Sequence, residues 1–100
     1  MVQNKALSYI GLAQKSHNVV SGEFMTEKAV KGGMAELVIV AEDASANTKK
    51  MFTNMCTFYE VPIYYFSTKE ELGHAMGKEK RASLAITDTG LAEMVKKNMN

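Results

Sequence analysis

The segment "AELVIVA", residues 35–41, restricts this chain more than any other. From Leu37 to Ala41 it is apolar without interruption, and Val38, Ile39 and Val40 are β-branched. A half-buried strand alternates apolar and polar side chains, so an unbroken run of this kind is expected to be covered on both faces. The segment is therefore read as a central strand of a sheet with helices on each side. At about five residues it is far too short to cross a bilayer, which takes roughly 18 or more.

The rest of the chain supplies those helices. Residues 2–15 carry Ala6, Tyr9, Ile10 and Ala13 at helical spacing, and "KSHNVV" ends the helix with His17 or Asn18 in a left-handed turn. Val19-Val20 is a short strand, Ser21 a candidate N-cap, and Gly32-Gly33 the close of a second helix. After the central strand, Asp43 or Ser45 can cap a helix from Ala46 to Tyr59 with Met51, Phe52, Met55, Cys56 and Tyr59 as its apolar set. Pro62 opens the strand "IYYFS". "TKEELGHAMG" is a short helix capped by Ser67 or Thr68, "ASLAIT" a strand, and "DTGLAEMVKKN" a final helix on Leu91, Met94 and Val95. Strands alternating with helices predict an α/β fold, a three-layer α/β/α sandwich with about four strands. With 100 residues, 46% of them hydrophobic, residues 1–100 make one domain with its own core and no room for a second.

Much chemistry is excluded. The opening "MVQNKALSYI" lacks a basic stretch, apolar core and cleavage site in series, so a cytoplasmic location is expected. Cys56 is the single cysteine and reads as a small core residue rather than a nucleophile. Neither G-x-G-x-x-G nor G-x-x-x-x-G-K-[ST] occurs, which removes a dinucleotide cradle and a P-loop. His74 has no second ligand at metal spacing. Glu42-Asp43 at a strand end resembles the acidic pair of phosphorelay receivers, but Ser67 and Thr87-Asp88 stand where the phosphoacceptor and lysine of a receiver would be needed. With no nucleophile, base and oxyanion set in view, no enzyme, cofactor or metal is expected.

The segment "VVSGEFMTEKAVKGG" carries the functional signal. Helical phase places Met25, Ala29 and Val30 on the core side, and Phe24 with Glu27, Lys28 and Lys31 on the solvent side. An aromatic ring beside lysines at a helix start suits stacking on an unpaired base, or else packing against a neighbouring helix or a second copy. Net charge is only +1, so the distribution matters more: Lys28 and Lys31, Lys49 and Lys50, and Lys78, Lys80 and Arg81 form separate clusters. The start of the second helix and the "AEDAS" loop both fall at carboxyl ends of strands, the usual ligand side of an open α/β sheet. The loop "GKEKRAS" joins them only if the last strand runs antiparallel to the others. Such a site would offer amides and cations to phosphates and a ring to a base.

The order "SGEFMTEKAVKGGMAELVIVAEDAS", a cysteine in the next helix, then "VPIYYFSTKEELGHAMGK" resembles the ribosomal protein L7Ae family of kink-turn RNA binders over nearly the whole chain. The opening "ALSYIGLAQKSHNVVSGE" is similar to its short bacterial YlxQ-type branch. The resemblance implies an α/β/α sandwich with a mixed four-stranded sheet and a non-enzymatic, structured-RNA partner. Family binders open the second helix with G-x-N-E-x-x-K, whose Asn and Glu read sheared G·A pairs. Here Gly22 and Lys28 keep their places, while Phe24 and Met25 stand at the Asn and Glu positions. The loop before the last strand, apolar in those binders, is the charged "KEKRA". The resemblance thus implies an RNA surface made by Gly22, Glu23, Phe24, Met25, Lys28, Lys31, Glu42, Asp43, Lys78, Lys80 and Arg81, with altered specificity. The competing expectation is a protein-interaction or dimerisation module that uses the same surface, since exposed aromatic and Met residues are enriched at interfaces.

Overall fold

The computed structural model describes residues 4–99. Helix α1 (Lys5–Lys15) leads to strand β1 (Val19–Ser21), α2 (Glu23–Lys31) and β2 (Leu37–Val40). Then come α3 (Ala46–Tyr59), β3 (Ile63–Tyr65), α4 (Lys69–Ala75), β4 (Ser83–Ile86) and α5 (Thr89–Lys97). Each boundary has a chemical cause. Asn4, Ser45, Thr68 and Asp88 cap α1, α3, α4 and α5 with side-chain oxygens that accept backbone N–H bonds. At the far end of α1, His17 takes the left-handed conformation, at φ 61°, that the sequence assigned to His17 or Asn18. Gly33 and Gly77 lie past the ends of α2 and α4 with φ of 76° and 70°. Val2 and Gln3, expected in the first helix, lie outside the described residues.

The sheet has four strands in the order β1-β4-β2-β3. Strand β4 runs antiparallel to both neighbours, Val19 facing Ile86 and Val38 facing Ala85, while β2 and β3 run parallel with Val38 beside Ile63. Helix α1 packs on both α4 and α5 along one face, and α2 packs with α3 on the other. This is the three-layer sandwich that the alternation of elements predicts, with the mixed sheet that the resemblance implies. Leu37 to Ala41 have no exposed surface, as expected of a strand between two helical layers. Strand β4 is equally buried, so β2 and β4 share the centre.

Three local expectations differ. Ser21 is the last residue of β1, and Gly22 is the N-cap of α2 without any side-chain cap bond. Met25 is 41% exposed, and the polar Thr26 is fully buried in its stead. The buried stripe of α2 is Thr26, Ala29 and Val30, which puts Met25 about 90° off its centre. Thr26 is tolerated there because Ser83 Oγ on β4 donates to its hydroxyl at 3.3 Å. On α3, Phe52 and Cys56 fill the core, while Tyr59 at the helix end is 40% exposed.

Candidate functional site

Because β4 alone is reversed, the carboxyl ends of β1, β2 and β3 and the amino end of β4 lie along one edge. The condition for bringing the "GKEKRAS" loop to the helix starts is therefore met. Backbone bonds stitch the edge together. Gly22 N–H donates to Ser83 O at 2.9 Å, Ala41 N–H to Ala82 O at 2.9 Å, Glu42 N–H to Ser67 O at 2.8 Å, and Arg81 N–H to Lys69 O at 3.0 Å.

At the start of α2, Gly22 adopts φ 90° and ψ 160°, a conformation that strains any residue with a Cβ. The first N–H to find a helical acceptor is that of Thr26, on Gly22 O at 3.0 Å. The amides of Glu23, Phe24 and Met25 have no protein acceptor among the described residues and point out of the helix start. Phe24 is 72% exposed, on the solvent side as its helical phase predicts. It lines a shallow hollow of about 470 Å³ with Glu27, Lys28, Lys31 and Gly32.

The cations are not equivalent. Lys31 Nζ lies 2.7 Å from Glu27 Oε2, and the hydrogen bond and charge of Glu27 raise its pKa above the usual lysine value. Arg81 donates from Nε to Ser21 Oγ at 3.1 Å and from Nη1 to the carbonyls of Lys80 and Glu79 at 3.0 and 3.4 Å. Its guanidinium fastens the loop to β1. Lys28, Lys78 and Lys80 are exposed and form no ion pair among the described residues. Lys49 and Lys50 sit near the start of α3, at the same edge.

The acids differ in the same way. Asp43 Oδ1 accepts the N–H of Lys69 at 2.8 Å, so it caps α4 from a distance of 26 residues. Glu42 is exposed, its side chain in no ion pair among the described residues.

The loop itself is seated on Gly73. A Cβ at that position would lie 1.9 Å from Glu79 O and 3.1 Å from Lys80 Cα, so the loop crosses α4 at a distance that only glycine allows. Between α4 and the loop runs an open groove of about 900 Å³, bordered by Glu70 and His74 on one side and Lys78 to Arg81 on the other. The signal for this seat is a glycine inside a helical pattern, in "ELGHAMG". Thr26 and the Arg81–Ser21 bond carry no local signal. Among the described residues no group of three or more His, Cys, Asp and Glu could hold a metal ion, and no helix is long and apolar enough to cross a membrane.

The fold is a small α/β/α domain with a mixed sheet, and one of its edges carries free amides, the exposed ring of Phe24 and lysines without ion pairs among the described residues, chemistry able to meet an anion and a flat apolar group. Residues 4–96 match the ribosomal protein L7Ae/L30e/S12e/Gadd45 family, and the chain belongs to it. It is 42% identical over 83 residues, 83% of each chain, to the RNA-binding protein YlxQ of Bacillus subtilis (strain 168). It is 34% identical over 94 residues, 94% of this chain and 90% of the relative, to the RNA-binding protein YlxQ of Enterococcus faecium. Among solved structures it is similar to a Bacillus halodurans protein of unknown function, with TM-score 0.93 and 32% identity over 97% and 98% of the two chains. The 15.5 kD RNA-binding protein of Giardia lamblia shares the fold at TM-score 0.81 and 24% identity over 98% and 91% of the chains.

Proposed function

We propose that this protein is a cytoplasmic, non-catalytic binder of structured RNA whose specificity differs from that of kink-turn binders. The observation that carries the reading is the reversed β4, which brings the loop bearing Lys78 and Lys80 to the same edge as the uncapped start of α2, where Arg81 bonds Ser21 and Gly22 bonds Ser83. There the amides of Glu23, Phe24 and Met25, behind Gly22, receive a phosphate, and Lys28, Lys78 and Lys80 neutralise its neighbours. Lys31 joins them by exchanging Glu27 for a phosphate. Phe24 stacks on an unpaired base, Met25 packs beside it, and Glu42 accepts from base N–H groups. Asp43 and Arg81 act on the RNA through the positions of α4 and the loop. The relatives named for RNA binding support the partner class. The altered specificity rests on Phe24 and Met25 standing where the resemblance puts base-reading Asn and Glu.

The test is electrophoretic retardation of a panel of structured RNAs, kink-turns included, at about 50 and 200 mM salt. Binding at low salt is expected, and Phe24→Ala should lower affinity by about 1 to 3 kcal/mol, the worth of one stacked base. Stability should change by less than about 0.5 kcal/mol, because the ring is exposed. A variant that unfolds with its affinity intact would end the stacking role. The side-by-side exposure of Phe24 and Met25 also favours a second reading, a protein partner on this surface. Absence of any RNA shift at low salt would select it.

A further inference from the structure

Strand β3 forms one border of the sheet, and its outer side is bare. Val38 N–H donates to Pro62 O at 2.9 Å and Phe66 N–H to Val40 O at 3.0 Å, so the even-numbered residues of this segment face β2. In a parallel ladder the intervening residues must then face away. The N–H and C=O groups of Ile63 and Tyr65 accordingly have no protein partner among the described residues. Nothing blunts this border: "IYY" contains no lysine and no other charge. Tyr64 and Tyr65 of the strand itself are each 42% exposed. This border is a different one from the proposed RNA edge, which lies at the carboxyl ends of β1, β2 and β3.

We propose that this border docks antiparallel on the same border of a second copy of the chain, about a two-fold axis through Tyr64. The pattern is self-complementary, as an isologous interface requires. Ile63 of each copy faces Tyr65 of the other and exchanges both N–H···O bonds with it, which satisfies all four bare groups per copy. Tyr64 meets its own equivalent on one face of the joined sheet, and Ile63 packs on the other copy's Tyr65 on the opposite face. Charge agrees with this polarity. Glu60 is exposed at the foot of β3, and Lys49 lies at its head, where its carbonyl accepts from the Tyr65 hydroxyl at 3.5 Å. Antiparallel docking sets the foot of one copy against the head of the other, acid toward base. The joined sheet has eight strands, and the two RNA edges point in opposite directions, so neither is covered.

A three-residue seam is small, and interfaces burying less than about 1,200 Å² are weak, so the mass of the full chain is to be measured by sedimentation up to about 1 mM. A reversible monomer–dimer equilibrium is expected. Tyr64→Lys sets like charges against each other at the axis and should weaken association about tenfold or more, and so should Tyr64→Glu. A mixture of the two variants should dimerise again, which a folding defect would not produce. Tyr64→Cys should form a disulfide-linked dimer on mild oxidation, because directly opposed residues lie about 4.5 Å apart and Cys56 is buried. A chain that stays monomeric throughout overturns the proposal. So does a dimer indifferent to both charged variants, and so does a Tyr64 effect confined to RNA or to an added extended peptide.

Discussion

Replacing Gly73 by alanine inverts a familiar rule. In an ordinary helix interior this change stabilises by about 1 kcal/mol, because alanine restricts the unfolded chain and favours the helix. Here the new methyl would meet Glu79 O at 1.9 Å, Glu79 C at 2.6 Å and Lys80 Cα at 3.1 Å, all of them backbone. The loop must retreat by roughly 1 to 1.5 Å to restore van der Waals contact. It is held by Lys78 N–H on Gly73 O at 2.8 Å and Arg81 N–H on Lys69 O at 3.0 Å, so retreat strains or breaks these bonds. Each is worth about 1 kcal/mol, and overpacking adds about 1 to 3. After the helical gain is subtracted, Gly73→Ala should destabilise the fold by about 2 to 4 kcal/mol, equivalent to about 8 to 30 °C in melting temperature for a domain of this size. Urea unfolding measures the first quantity, and amide chemical shifts should report displacement centred on residues 78–81. Affinity for RNA should fall as well, because Lys78 and Lys80 move away from the start of α2. A more stable variant with unmoved loop resonances would refute the reasoning.

Thr26→Val strands the Ser83 hydroxyl and Ser83→Ala strands that of Thr26, so each single change should cost about 1 to 3 kcal/mol. The double variant should cost clearly less than the two added together, and chemical denaturation of all four proteins measures the coupling. Burial pushes the Cys56 thiol from 9.0 up to about 11, so the folded state holds this proton more tightly than the unfolded chain does. Its contribution is complete below pH 9 and is lost as pH rises from 9 to about 11. The stability of the parent relative to Cys56→Ala should decline across that window, and a difference that stays flat would contradict the burial.

The sheet was legible because burial on both faces leaves a compositional mark, and "LVIVA" bears it. Two capped boundaries were legible for a similar reason: Ser45, read as an alternative to Asp43, and Thr68, read as an alternative to Ser67, are local chemistry. The phase of α2 was readable only in part. Phe24 and Lys28 fell on the correct side, but hydropathy preferred Met25 to Thr26 for the core, because the hydrogen bond that allows a threonine inside comes from Ser83, 57 residues away. The same applies at the candidate site. Its basic clusters could be read, but not their convergence, which depends on the direction of β4. Nor could a sequence separate an available cation from an occupied one, since Arg81 finds its partner Ser21 at a separation of 60 residues.

That separation has a measurable consequence. Of the four lysines proposed to meet RNA, Lys28, Lys78 and Lys80 approach phosphate without giving up an ion pair, whereas Lys31 must leave Glu27, and Arg81 stays bonded to Ser21 and two loop carbonyls. A cation that exchanges one anion for another gains little, and counterion release follows net neutralisation of phosphate. Three effective contacts give a slope of log affinity against log salt of about −2 to −3, a loss of about 20- to 40-fold between 50 and 200 mM, against several hundred-fold or more for six contacts. Lys28→Ala, Lys78→Ala and Lys80→Ala should each flatten the slope by about one. Lys31→Ala should leave it nearly unchanged, and Arg81→Ala should lower affinity mainly by freeing the loop, with its cost in stability visible without RNA. If Lys31→Ala flattened the slope as much as Lys28→Ala does, the Glu27 pair would not hold in solution, and the division of the surface into free and occupied cations would fail.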